Sequence, residues 1–179
     1  MTLQVTPVYS REANCFSYLA CDPRTRCCAV INPLAGTVDA VNTMIEAGGF
    51  ICEWVLATGD ALVNRQAAYE LARHHLCART AGPAGNGFDV TVADDQTIRV
   101  GHLHGRVVLD SGCASYVFDG TIFAGCCESA HSTVGRDDPL NKLTDDCKVL
   151  LHHPLEDDAP MSSYRRTLGE LRSSPPMLF

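Results

Sequence analysis

The residues best equipped for chemistry in this chain are its ten cysteines: Cys15, Cys21, Cys27, Cys28, Cys52, Cys77, Cys113, Cys126, Cys127 and Cys147. Thiolates are nucleophiles and soft-metal ligands, yet the spacing selects neither role. None falls in a C-x-x-C pair, so there is no zinc-ribbon or thioredoxin pattern. Free thiols are expected rather than disulfides, most of them buried as small hydrophobes. The adjacent His74 and His75 point about 100° apart on a helix; they cannot face one metal and read as surface histidines. His102 and His104 alternate on one strand face, where two imidazoles can pair as ligands or stand half-exposed. Ser111-Gly112 lacks the flanking glycine of a nucleophile elbow. Asp137 and Asp138 read as turn or capping residues rather than an acid/base pair, and there is no glycine-rich phosphate loop.

Charge narrows the partners. The formal net charge is −7 over 179 residues, and the only basic cluster is Arg165-Arg166. Nucleic-acid binding needs clustered Lys and Arg, so no nucleic-acid partner is expected. No apolar run approaches the roughly 20 residues of a membrane helix, and Met1 to Ser10 shows no secretory pattern. The expectation is a cytoplasmic protein without a membrane partner. With 46% hydrophobic and 20% charged residues, the chain has the means to bury one sizeable core.

The elements that must position any site follow from periodicity. Asn14 to Ala20 and Cys27 to Asn32 read as strands around the turn Cys21-Asp22-Pro23-Arg24-Thr25. Val38, Val41, Met44 and Ile45 share one face of a helix over Thr37 to Gly48, which Gly48-Gly49 stops. Phe50 to Ala57 is a buried strand, Asn64 to His75 a second helix, and Cys77 to Arg79 the start of another strand. Ala81 to Gly87 is a loop. Five short strands follow, Phe88 to Val92, Thr97 to Val100, Arg106 to Leu109, Ser115 to Phe118 and Thr121 to Ala124. Asp119-Gly120 between the last two is a strong hairpin signal. Lys148 to Leu151 closes the series, and the chain from Met161 is polar.

The order of these elements, with its local sequence, resembles the metallo-β-lactamase superfamily in its persulfide dioxygenase and glyoxalase II branch. Ser17-Tyr18-Leu19 and Ala29-Val30-Ile31-Asn32-Pro33 are similar to that branch's "SYL … AVLIDP" opening, with Asn32 in place of Asp. Thr37-Val38-Asp39 matches the start of the first helix. Trp54 to Thr58 resembles the strand leading into the T-H-x-H-x-D-H motif, and Thr97 to Gly101 resembles "TLRVG". Tyr116 to Gly125 is similar to "YVLDGTLFTG", Gly135-Arg136-Asp137 to "GRTD", and Leu143 to His153 to "LPDDTLVYPGH". Arg165 to Glu170 is a weaker echo of "TVGEER". The resemblance implies one domain over residues 1–179, an α/β (α+β) fold, and a four-layer αββα sandwich. Its two sheets carry the Thr37 and Asn64 helices on their outer faces.

The metal-binding motif departs from the family. The T-H-x-H-x-D-H loop reads Thr58-Gly59-Asp60-Ala61-Leu62-Val63-Asn64. Gly59, Ala61 and Val63 have no donor, and an amide at Asn64 is a poor ligand for zinc or iron. The family's "TPGH" histidine falls on Cys113, or on His102 in a rival alignment; its "TGD" aspartate falls on Cys126, and its last histidine is kept as His153. The resemblance therefore implies loss of persulfide dioxygenase, glyoxalase II and β-lactamase activity. Cys113, Cys126 and His153 would then form a metal site for zinc or another soft ion. They could equally be part of a thiol pair with Cys127 or Cys147 as neighbours, or the remains of a filled pocket. Three functions stay open: a non-hydrolytic protein binding a small thiol or soft metal, an inactive subunit in a homodimer or beside a paralogous partner, and an enzyme rebuilt for a thiol or thioester substrate.

Overall fold

Strand β2, Cys15–Asp22, is buried at every position; so is β3, Cys27–Ile31. Strands of this kind lose the in/out alternation of a half-buried sheet because both faces are covered. They sit inside a six-stranded sheet, ordered β1 (Gln4–Ser10), β2, β3, β4 (Ile51–Leu56), β5 (Arg79–Gly82) and β6 (Val90–Thr91). The first three pair antiparallel and the rest parallel. The computed structural model describes residues 2–59, 62–83, 87–110, 112–124, 143, 146–150 and 165–167. Cys126, Cys127, Asp137, Asp138 and His153 lie outside them.

The parallel pairs need crossovers. Helix α1, Val38–Gly48, joins β3 to β4, and α2, Leu62–His74, joins β4 to β5. Gly49 ends α1 in the left-handed region (φ 59°), its N–H reaching the carbonyls of Glu46 and Ile45. Val38, Val41 and Ile45 of α1 and Ala67, Ala68 and Leu71 of α2 pack together on Leu19, Val30 and Val55. Both helices thus cover the same sheet rather than one each. Connections between neighbouring strands of one sheet fold back onto that sheet, which puts both helices on its outer face.

The second sheet is ordered β12 (Arg165–Thr167), β11 (Lys148–Leu150), β10 (Thr121–Phe123), β9 (Cys113–Phe118), β8 (Leu103–Asp110), β7 (Thr97–Val100). Strands β7 to β10 form an antiparallel meander. Asp119 (φ 47°) and Gly120 (φ 71°) give the β9–β10 turn the doubly left-handed backbone of a type I′ hairpin.

The sheets meet through Phe16, Tyr18, Ile31 and Leu56 on one side and Val107, Tyr116, Phe118 and Phe123 on the other. The Phe123 ring lies edge-on to Tyr18 at 5.5 Å and to Phe118 at 6.3 Å. Truncating such a ring to Ala costs about 3–5 kcal/mol. Gly105 permits this packing, since a Cβ there would lie 2.2 Å from the Phe118 ring. The far face of the second sheet buries Val108, Ile122, Ala124, Cys147 and Val149.

A bulge sets the phase of β4. Cys28 faces Cys52 while Ala29 faces Trp54, so Glu53 is the extra residue. Cys52 and Val55 consequently face the helices, while Trp54 and Leu56 face the second sheet. The displaced Glu53 accepts the Gly101 N–H at 2.8 Å, and the Trp54 indole donates to the Arg99 carbonyl at 2.9 Å. Among the described residues no helix is long and apolar enough to cross a membrane.

Candidate functional site

Parallel strands β3 and β4 finish at Ile31 and Leu56, so Asn32 and the Thr58-Gly59 loop emerge at the same end of the sandwich. There Asn32 turns into the left-handed region (φ 54°), which Asn tolerates better than most residues. Its backbone N–H bonds the Leu56 carbonyl at 2.9 Å, and its side chain becomes a buried hub. The Asn32 amide nitrogen donates to the Phe16 carbonyl at 2.8 Å, while its Oδ1 accepts from Thr58 Oγ1 at 3.2 Å and Asn64 Nδ2 at 3.1 Å. Ser17 Oγ donates to the Asn32 carbonyl at 2.7 Å and lies 2.8 Å from Thr37 Oγ1. Five fragments scattered along the sequence, at Ser17, Asn32, Thr37, Thr58 and Asn64, are therefore one hydrogen-bonded network.

The second sheet docks on this loop through β9. The Ala114 N–H donates to the Thr58 carbonyl at 2.8 Å, and the buried Tyr116 hydroxyl donates to the Ala57 carbonyl at 2.7 Å. Burial pushes the Tyr116 phenol well above its ordinary pKa, so it is a fixed donor and not a proton shuttle. Cys113, half-buried at the start of β9, stands one residue before Ala114 and pairs in register with Asp110. The structure thus brings Cys113 to the Thr58-Gly59 loop. Among the described residues, a Cβ built on Gly59 would meet nothing within 4 Å. Asn64, by contrast, already spends its amide nitrogen on Asn32.

His102 is elsewhere. It follows Gly101 in the β7–β8 turn, its N–H bonded to Asp22 Oδ2 at 2.8 Å and its side chain 54% exposed. Asp22 closes the β2–β3 hairpin, level with the start of β4. The seven residues from there to Thr58 span roughly 20 Å. His102 therefore lies at the opposite end of the sandwich from the Thr58 loop, against the rival alignment that placed it in the pocket. The carboxyl of Asp22 is held down at about 2, first by the His102 N–H, then by the Arg24 and Thr25 bonds, with burial opposing. His104 is exposed on β8. His74 is exposed, but His75 is half-buried with Nε2 2.9 Å from Asn42 Oδ1, and burial lowers its pKa. It ties the end of α2 to α1 rather than standing as a surface histidine.

Of the cysteines described, Cys15, Cys21, Cys27, Cys28, Cys52 and Cys147 are buried, Cys113 is intermediate and Cys77 exposed. Among the described residues no group of three or more His, Cys, Asp or Glu side chains is placed to hold a metal ion. Cys126 and His153 fall outside that set, so the expected trio is represented here by Cys113 alone. Sequence reasoning gave no role to Asn32 or Tyr116. The signals were present: an Asn before Pro33 at a strand end, and a tyrosine in an otherwise apolar strand, whose hydroxyl must find a buried partner.

No protein-family profile matches the chain, and no curated protein matches its sequence. Solved structures do. The crystal structure of ETHE1 from Myxococcus xanthus superposes with a TM-score of 0.76 at 18% identity, covering 97% of this chain and 82% of that one. The BLEG-1 B3 metallo-β-lactamase gives 0.73 at 10% identity, covering 97% and 98%. A metallo-β-lactamase from Staphylococcus aureus gives 0.70 at 14%, covering 97% and 64%. With two facing sheets, the paired crossover helices and these superpositions together, the chain has the metallo-β-lactamase fold.

Proposed function

We propose that this protein holds a soft metal ion or a small thiol compound at the loop end of its metallo-β-lactamase fold, through Cys113 with Cys126 and His153, and does not run the hydrolytic or dioxygenase chemistry of its structural relatives. The observation that carries the reading is the docking of β9 on the Thr58 loop. It brings the start of β9, where Cys113 precedes Ala114, to the Thr58 carbonyl, one residue before the Gly59 position that carries a ligand in the family's motif. The residues do not fit the family's metal set: Gly59, Ala61 and Val63 offer no donor, and Asn64 is bound to Asn32. A thiolate pair with an imidazole suits zinc or a softer ion instead. Asp110, the register partner of Cys113, adds a carboxylate that favours a cation over an anion there.

Zinc titration of the parent protein against Cys113→Ser, Cys126→Ser and His153→Ala tests this, with metal content and thiol count measured on the purified chain. The expected result is tighter binding by the parent and weakening in all three variants. Binding should also fall as pH drops, because the thiols must deprotonate. Equal, weak binding by the parent and Cys113→Ser would overturn the reading in favour of a non-catalytic partner subunit. Oxygen uptake with a glutathione persulfide, or β-lactam hydrolysis, at about 1 per second or faster would overturn it in favour of an enzyme.

A further inference from the structure

Away from the loop end, three thiols stand in a row across the first sheet. Cys21 on β2 is the register partner of Cys28 on β3, and Cys28 is the register partner of Cys52 on β4. All three face the helices, packed with Val30, Val55, Val41 and Leu71, and are 2%, 0% and 1% exposed. Cys28 is in hydrogen-bond contact with both neighbours. Three thiols in line cannot surround one ion, and thiolates are disfavoured in so apolar a layer. A disulfide is neutral and suits it. Directly opposed residues in an antiparallel pair have Cα atoms about 4.5–5.5 Å apart, inside the about 4.4–6.8 Å range that a disulfide spans.

We propose that Cys21 and Cys28 form a redox-active pair that closes to a cross-strand disulfide when the protein meets a hydroperoxide. Cys28, rather than Cys52, is the partner of Cys21 because they share an uninterrupted ladder. Cys52 adjoins the Glu53 bulge, and its sulfur is turned to the Trp54 carbonyl at 3.5 Å. Cys21, at the end of the row with one sulfur neighbour rather than two, is assigned as the attacking sulfur; the hydrogen bond with Cys28 favours its thiolate while burial opposes it. Its thiolate takes an oxygen from hydrogen peroxide, leaving a sulfenic acid and hydroxide. Cys28 then attacks the Cys21 sulfur; the S–O bond breaks, the S–S bond forms, and the Cys28 proton leaves with the oxygen as water. Two thiols and one peroxide give one disulfide and two waters, the two electrons coming from the sulfurs. Because both sulfurs lie beneath α1 and α2, the reaction waits on local opening of that layer.

The test exposes the full-length protein to hydrogen peroxide, blocks remaining thiols in denaturant and digests with trypsin without reduction. Cleavage at Arg11, Arg24, Arg26 and Arg65 puts Cys15 and Cys21 on residues 12–24, and Cys27, Cys28 and Cys52 on residues 27–65. The expected product is these two peptides linked, with fragmentation placing the bond at Cys21 and Cys28. It persists in Cys15→Ala and Cys27→Ala and is absent in Cys28→Ala. Exposed Cys77 reports that the oxidant acted. Oxidised Cys77 with no linked peptides, or a bond placed at Cys27 or Cys52, would overturn the proposal. Assignment in the parent does not depend on any variant folding.

Discussion

Replacing Asn32 with Asp would restore the residue of the family's Ile-Asp-Pro turn, and the structure says it should destabilise this chain. The Asn32 side chain is 3% exposed and donates through Nδ2 to the Phe16 carbonyl at 2.8 Å. An ionised carboxylate has no donor. It would put an oxygen against that carbonyl and leave a buried acceptor unsatisfied, which costs about 1–3 kcal/mol. Thr58 and Asn64 would still donate to the other oxygen, but neither brings a positive charge to offset a buried anion. If burial raises the new carboxyl by about two pH units, the charge adds about 3 kcal/mol at neutral pH. The two contributions give roughly 4–6 kcal/mol, much of the 5–15 kcal/mol that holds a typical domain folded.

The penalty has a sign in pH. A carboxyl whose folded pKa lies above its unfolded value of about 3.9 binds protons more tightly in the native state. The destabilisation is absent below the unfolded pKa, grows by about 1.4 kcal/mol per pH unit between the two values, and is full above the folded one. Protonated Asp also regains an O–H donor for Phe16. Urea unfolding of the parent and Asn32→Asp, followed by the single tryptophan, Trp54, should therefore show a large gap at pH 8 and a small one near pH 4. Comparing variant with parent at each pH cancels titrations common to both. Equal stability at pH 8, or a gap that ignores pH, would refute the buried-hub account of Asn32.

Tyr116→Phe should cost about 1–3 kcal/mol in the same assay, because it strands the buried Ala57 carbonyl. Gly101→Ala should destabilise by at least ~1 kcal/mol: its φ is 55°, and a Cβ would lie 2.0 Å from Thr25 Oγ1. Gly59→Ala, with no described atom within 4 Å of the added Cβ, should stay within about 0.5 kcal/mol of the parent, and a larger loss would mean that the site is closed. Asp22, held at about 2 against an ordinary 3.8, contributes stability that is present above 3.8 and lost as pH falls through about 2. Acid unfolding of Asp22→Asn should lack that limb, and a curve parallel to the parent's would count against the carboxylate's role.

Much of the sandwich was legible because central strands are bounded runs with clear turns; the Asp119-Gly120 hairpin and both helices stand where periodicity put them. Two of the four sheet-edge strands, β1 and β12, were not. Pro7 interrupts β1, which argues against a strand unless its ladder is paired on one side only, and β12 is three polar residues. The Glu53 bulge was also invisible, since a one-residue phase change in β4 leaves Cys52, Val55 and Leu56 equally apolar. At the site, the sequence left Cys113 and His102 as rivals because spacing along a meander does not say which turn lies at which end. Register does: Gly105 to Asp110 of β8 run beside Phe118 to Cys113 of β9, which carries Cys113 back to the Thr58 end.

The two ends of the sandwich are closed by different chemistry, and that bears on function. At the far end the sheets are stitched by carboxylates, Asp22 on the His102 N–H and Glu53 on the Gly101 N–H. At the loop end the stitching is neutral throughout: Ser17, Asn32, Thr37, Thr58, Asn64 and Tyr116 bond to one another or to backbone. Among the described residues, these neutral groups satisfy one another and hold their shape without a metal. In a hydrolytic metal site the converse holds, as the ion is often the largest local charge and the ligands are arranged around it. The described part of the loop end is therefore held by bonds that need no metal. Any ion bound there would add to that scaffold through Cys113 and its neighbours, so the metal-free protein should still unfold in one cooperative transition, its midpoint lowered only by the lost binding energy. A chelator that abolishes the cooperative transition would show instead that the metal is part of the fold.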